Sequence, residues 1–201
     1  MKKINLNAKV IIVCIFILCC WAIKISEHYL SFSLTDYGIY PRNVNSLLGI
    51  IFTPFIHSGF SHLISNTIPL FLFGISIAYF YPRSAGWVFP IIYLVTGFLI
   101  WSFGREAYHI GASGLVYGFA SFLFFSGVIR RDTRSIALAL LFVFLYGGMV
   151  WGVLPADLRL SWEAHLFGGL TGFVCAFIFR KWDPQKKYDW EDEEETEGNT
   201  I

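Results

Sequence analysis

Apolar stretches approaching the roughly 20 residues that a helix needs to cross a hydrocarbon core recur along this chain. They are broken at intervals by charges or by glycine and proline clusters. Backbone placed in lipid must satisfy its own hydrogen bonds, which helices do within one segment. The expected fold is therefore an all-α polytopic membrane protein, a six-transmembrane-helix bundle with spans near residues 10–30, 61–81, 85–104, 113–129, 135–152 and 162–180. Composition agrees, since only 14% of residues are charged against about 25% in soluble domains. A net charge of +1 gives no footing for a nucleic-acid partner.

The first span is interrupted by Lys24 and Glu27, charges that can snorkel to the interface when they lie near a span end. With Lys2 and Lys3 ahead of it, this segment resembles a signal peptide, but Trp21, Lys24 and Glu27 follow where small residues would mark cleavage, so a retained span is expected. Cys14, Cys19, Cys20 and Cys175 lie inside apolar runs without ligand spacing. They read as small buried residues, and neither a metal site nor a cofactor is expected. The stretch Ser31 to Gly59 is too polar to span and is expected to form a structured loop at the membrane surface.

Basic residues set the orientation. With a cytoplasmic amino terminus (residues 1–9), that side receives eleven Lys and Arg and the opposite side four, namely Lys24, Arg42, Arg105 and Arg159. Both termini are then cytoplasmic. The end of the chain, residues 181–201, is expected to be an acidic, disordered and solvated tail, with eight acids between Asp183 and Glu197. So compact a core, with no targeting extension, suits a bacterial plasma membrane.

In this topology the second, fourth and sixth spans all start on the outer side, and their starts carry the polar residues. These are His57, His62 and Asn66; then Gly111-Ala112-Ser113-Gly114; then Glu163-Ala164-His165. Counting back from the cytoplasmic charge that ends each span, at about 1.5 Å per residue, places Asn66, Ser113 and His165 about 22 to 25 Å from the inner end. His62 falls about one turn higher on the same face as Asn66. Polar groups sunk to one depth on three helices are costly and point to a function.

Taken singly, each has a plainer reading. His165 can be a histidine bonded to a backbone carbonyl, Ser113 a helix-packing serine, Tyr117 a core aromatic. Together they supply a nucleophile with a base, since a serine hydroxyl needs a partner to take its proton and histidine titrates nearest neutrality. Developing negative charge needs preorganised donors, which His62, Asn66 and the Ser113 backbone N–H offer. Gly114 and Gly118 on the fourth span, with Ala164, Gly168 and Gly172 on the sixth, have the small-xxx-small spacing that lets helices approach closely.

Gly111-Ala112-Ser113-Gly114 with Tyr117, the His62-xxx-Asn66 pair with His57 upstream, and Ala164-His165-xx-Gly168-xxx-Gly172 resemble the three signature blocks of rhomboid intramembrane serine proteases, over residues 36–180. The resemblance implies that Ser113 is the nucleophile and His165 the base, that His62 and Asn66 serve the oxyanion, and that Tyr117 stacks on His165. It further implies that the loop before the second span lies partly in the membrane, that the fifth span is a side gate, and that the Val153–Ser161 loop caps the site. Substrates would be single-span membrane proteins entering from the lipid bilayer and cut near the outer end of their span. The chain lacks the family's Trp-Arg pair in the first loop, where Arg42 is expected to anchor the loop in another way. Oligomeric state is not legible.

Two rivals come from other classes. One is a rhomboid-fold protein that binds membrane clients without cutting them, although relatives of that kind would be expected to lack the serine or the histidine. The other is a small transporter using the same polar cluster, a reading opposed by the apolar inner halves Phe119 to Val128 and Phe173 to Phe179.

Overall fold

The computed structural model describes residues 6–130, 133–154 and 161–183. Most of the expected capping loop and of the acidic tail lies outside the described residues. Among those residues the chain is all helical, with no strand. The α-helices are α1 (Leu6–Leu30), the single turn α2 (Gly49–Phe52), α3 (Phe60–Phe80), α4 (Ala85–Phe103), α5 (Ser113–Arg130), α6 (Thr133–Tyr146) and α7 (Trp162–Ile178). Short 3-10 turns at Thr35–Tyr37, Val44–Ser46, Thr53–Phe55 and Gly147–Val153 complete the set.

Four of these helices are long and apolar enough to cross a membrane: α1 over Ala8–Leu30, α3, α4 and α5. The other two expected spans, 135–152 and 162–180, fall on shorter helices. α6 has 14 residues and α7 has 17, about 21 and 25 Å of helix. α6 stops where Gly147-Gly148 begins a tighter 3-10 segment that runs on to Val153, as glycine weakens α-helix continuation.

α5 lies at the centre, packed against α3, α4, α6 and α7. Phe73 and Tyr81 from α3 and its end, Val88 and Ile92 from α4, and Phe119, Phe122 and Leu123 from α5 are fully buried around it. The outward faces carry Ile11, Ile15 and Leu18 on α1, Ile64, Ile68 and Phe71 on α3, and Leu170, Val174 and Phe177 on α7, all exposed. Apolar residues on both the inner and outer faces of a helix suit a lipid solvent.

The α5–α7 seam is the tightest contact. A Cβ placed on Gly168 would strike the carbonyl oxygen of Gly114, and one on Gly172 would strike that of Gly118. Backbone thus meets backbone over two turns, the approach that small residues permit.

The loop between α1 and α3 is ordered by polar contacts to its neighbours. Ile39 and His109 exchange backbone bonds of 3.1 and 2.8 Å, and the Thr53 hydroxyl accepts from the Ile39 N–H at 2.9 Å while donating to the His109 carbonyl at 3.0 Å. Arg42, at φ 61°, donates its N–H to the Trp101 carbonyl at 2.8 Å and its guanidinium to the Gly104 carbonyl at 2.8 Å. The Trp101 indole donates in return to the Asn43 carbonyl at 2.9 Å. Arg42 does anchor the loop, to the C-terminal end of α4.

Lys24 and Glu27, the charges that interrupt the first expected span, are turned toward the loop that follows it. Glu27 is buried and pairs with Lys24 at 3.2 Å, Lys24 donates to the His57 carbonyl at 2.9 Å, and Glu27 accepts the Leu34 N–H at 2.7 Å. An ion pair with its remaining valences filled tolerates burial, and this one clamps both ends of the loop to α1. At the opposite end of the bundle, the buried Asp183 carboxylate accepts the Arg83 N–H at 2.6 Å, the Ser84 N–H at 3.0 Å and the Ser84 hydroxyl at 2.7 Å. It thereby caps the start of α4 from 99 residues away.

Candidate active site

Ser113 is the first residue of α5, and the turn before it passes through Gly111 at φ 106°. Only glycine adopts that conformation without strain. Glycine is required a second time by space, because a Cβ there would lie 2.7 Å from Cε1 of His62. The His62 ring is thus pressed against the backbone that turns into Ser113.

His62 and Asn66 stand one turn apart on α3. The Ser58 hydroxyl lies 3.2 Å from His62 Nδ1, and the Asn66 amide donates to the His62 carbonyl at 3.0 Å, using one of its two N–H groups. His57, just before α3, is buried edge-on to His62 at 5.1 Å and lies 3.2 Å from the Phe55 carbonyl through Nδ1. Burial first, then the neighbouring His62, hold the His57 imidazole well below its usual range, at about 4. It is neutral at physiological pH.

On α7, His165 is 7% exposed and Ser113 on α5 is 8%. The Tyr117 ring lies on the imidazole with centroids 4.0 Å apart and planes within 5° of parallel. Tyr117 is one helical turn beyond Ser113, on the same face of α5. The Nδ1 of His165 meets the Gly152 carbonyl at 2.7 Å. A carbonyl can only accept, so Nδ1 carries the hydrogen and Nε2 is left with a free lone pair. Among the described residues the Ser113 hydroxyl makes no hydrogen bond to the imidazole or to another group; such contacts often tighten only when substrate is bound.

Gly152 belongs to the 3-10 segment after α6, and a Cβ on it would collide with the Tyr117 hydroxyl and lie 3.2 Å from His165 Nδ1. Below this group a cavity of about 590 Å³ opens between α5, α6 and α7, lined almost wholly by apolar side chains including Phe124, Val143, Tyr146 and Phe173, with Tyr117 and His165 in its wall.

The structure therefore gathers Gly111, Ser113, Gly114, Tyr117, His165, Gly168 and Gly172 along one seam, and His57, His62 and Asn66 beside the end of it where α5 begins. A model of the Rhomboid domain matches residues 44–182, over two thirds of the chain. The chain belongs to the rhomboid family. A protein of Mycobacterium tuberculosis, itself uncharacterized, is 33% identical to this rhomboid over 159 residues, covering 75% of this chain and 65% of its own length. An uncharacterized protein of Mycobacterium leprae is 32% identical over 177 residues, 83% of this chain and 69% of its own. A Bacillus subtilis protein named "Putative rhomboid protease YdcA" is 26% identical over 137 residues, 64% of this chain and 65% of its own. The rhomboid chain thus spans about two thirds of the length of the relatives it matches. Family and apolar helices together make it a multi-pass membrane protein.

Several groups around the site escaped the sequence reading. Gly152 is the last residue of the fifth expected span, Ser161 lies just before the sixth, and His109 sits two residues before Gly111. His109 is buried, with Nε2 3.1 Å from the Arg105 carbonyl and Nδ1 2.6 Å from the Ser161 hydroxyl. Its imidazole is lowered from the ordinary histidine value, burial being the main cause. Glu163, buried beside His165 in sequence, pairs with Arg105 at 3.5 Å. A fourth histidine near the start of a span, beside His57, His62 and His165, was the available signal for His109.

Proposed function

We propose that this rhomboid is an intramembrane serine endopeptidase that crosses the bilayer six times, α6 and α7 being its short spans. Both termini face the cytoplasm of a bacterial plasma membrane. Its substrates are single-span membrane proteins, cut near the outer end of their span.

The observation that carries this reading is the state of His165: one face covered by Tyr117, itself one turn beyond Ser113 on α5, Nδ1 held by the Gly152 carbonyl, and Nε2 left as the acceptor. In the reaction, the Ser113 hydroxyl oxygen bonds to the scissile carbonyl carbon while His165 Nε2 takes its proton. The carbonyl π electrons move to oxygen, and the Ser113 N–H, the His62 ring and the Asn66 amide stabilise that charge. The tetrahedral species collapses, His165 passes its proton to the departing amine, and the peptide C–N bond breaks. Water, deprotonated by the same nitrogen, then releases the acyl group and restores Ser113. The Gly152 carbonyl fixes the tautomer and orientation of the imidazole, the duty that an acidic third member performs in triads. Positioning of this kind contributes without the carbonyl changing its own protonation.

The test is cleavage of a generic single-span substrate by purified protein in detergent or liposomes. Ser113→Ala and His165→Ala are each expected to reduce product to background. Cleavage by Ser113→Ala at the wild-type rate contradicts the nucleophile assignment; a folded wild-type protein that retains a panel of such clients without cutting them favours the client-binding reading instead.

A further inference from the structure

Ser113 and His165 stand on different helices, and each is preceded by four residues by a partner in one hydrogen bond. Those partners are His109, ahead of Ser113, and Ser161, ahead of His165, joined Nδ1 to Oγ at 2.6 Å. Resting on the protease reading above, we infer that the His109–Ser161 pair is a positioning tie that sets how the starts of α5 and α7 face each other, and hence how the Ser113 hydroxyl meets the imidazole.

Both ends of the tie are fixed. On one side the His109 backbone is paired with Ile39, its carbonyl also accepts the Thr53 hydroxyl at 3.0 Å, and the Gly111 N–H bonds to the Thr53 carbonyl at 2.9 Å. On the other side the Ser161 carbonyl begins α7 by accepting the N–H of Ala164 at 3.0 Å and that of His165 at 3.4 Å. Ser161 is the N-cap residue of α7, yet its hydroxyl makes no bond to that helix. A capping serine would ordinarily turn its oxygen onto its own helix; here it is turned across to His109. Nε2 of His109 lies 3.1 Å from the Arg105 carbonyl and so carries the hydrogen, which leaves Nδ1 to accept from the Ser161 hydroxyl. Alongside runs a second link between the same two segments, Arg105 to the buried Glu163 at 3.5 Å.

Small displacements at a reacting pair reduce turnover more than they reduce affinity. Ser161→Ala is expected to lower kcat about tenfold with KM within about twofold, and to slow phosphonate labelling of Ser113 by a similar factor. Ser161→Thr, which keeps a hydroxyl, restores most of both. Glu163→Gln, measured in parallel and expected to lower kcat about threefold, serves if Ser161→Ala does not fold. Thermal unfolding in detergent confirms that the compared proteins are equally folded. Wild-type kcat in Ser161→Ala, equal losses in Ser161→Ala and Ser161→Thr, or wild-type kcat in Glu163→Gln where Ser161→Ala does not fold, overturns the tie. Ser113→Ala, run as a control, separates the two readings: if it still cleaves, the protease reading fails, and if it is inactive while Ser161→Ala matches wild type, only the tie fails.

Discussion

α7 and α6 both pack on α5, and they do so in opposite ways. α7 meets it backbone to backbone, with Gly114 and Gly118 facing Gly168 and Gly172 and no side chain between. α6 leans mainly on α5 and touches α3 through Tyr146 against Phe73, leaves an apolar cavity of about 590 Å³ between itself and α7, and exposes Leu140, Leu141, Phe144 and Leu145. Groups that must hold a fixed geometry, Ser113, Tyr117 and His165, sit on the tight seam. The loose side is where an apolar chain has room to lie. An intramembrane protease of the kind proposed needs both, because precision at the reacting atoms and access for a lipid-embedded client pull packing in different directions.

Widening the seam is the harshest way to break that contrast. Gly168→Val places a branched side chain against the Gly114 carbonyl, and a destabilisation of about 3 kcal/mol with loss of cleavage is expected in denaturant titration and activity assays. Gly111→Ala comes next: the strained φ and the His62 ring together are expected to cost about 2 kcal/mol and to reduce cleavage more than stability. Replacing Tyr117 by Leu removes the stacked face from His165 and should lower kcat about tenfold, whereas Tyr117→Phe, which keeps the ring, should lose much less.

The outer loop sharpens the comparison through pH. His57 is held near 4 in the fold by burial, while the unfolded chain binds its proton near the ordinary histidine value of about 6.5. The folded state therefore disfavours the proton. Stability contributed by the neutral ring is complete above about 6.5, falls as pH drops from there toward 4, and levels off below. Unfolding measured across this range in wild type and His57→Gln should show that fall in the former and a shallower one in the latter. The smallest effect belongs to the loose side: Phe144→Ala, on an exposed face of α6, should change stability by no more than about 0.5 kcal/mol.

Much of this architecture could be read from residue order, for physical reasons that also explain the failures. Asn66, Ser113 and His165 stood out because polar groups deep in apolar runs are rare, and Gly114, Gly168 and Gly172 because helix approach in lipid requires small residues at fixed spacing. The loop from Ser31 to Gly59 had no such periodicity; its order comes from bonds to backbone groups, such as Thr53 to His109 and Arg42 to Gly104, that leave no pattern in the chain. Lys24 and Glu27 were ambiguous for a related reason, since a charge that clamps a loop and one that snorkels look alike in sequence. His109 and Ser161 were missed because they touch the site from segments between helices, where counting depth along a span says nothing, and Gly152 because it acts through a backbone carbonyl.

The most direct measurement is to label the purified protein in membranes with a serine-directed phosphonate and locate the adduct by mass spectrometry. The adduct is expected on Ser113, and His165→Ala should slow its formation by about a hundredfold or more. An adduct on another residue, or an undiminished rate on Ser113 without His165, contradicts the pairing of the two.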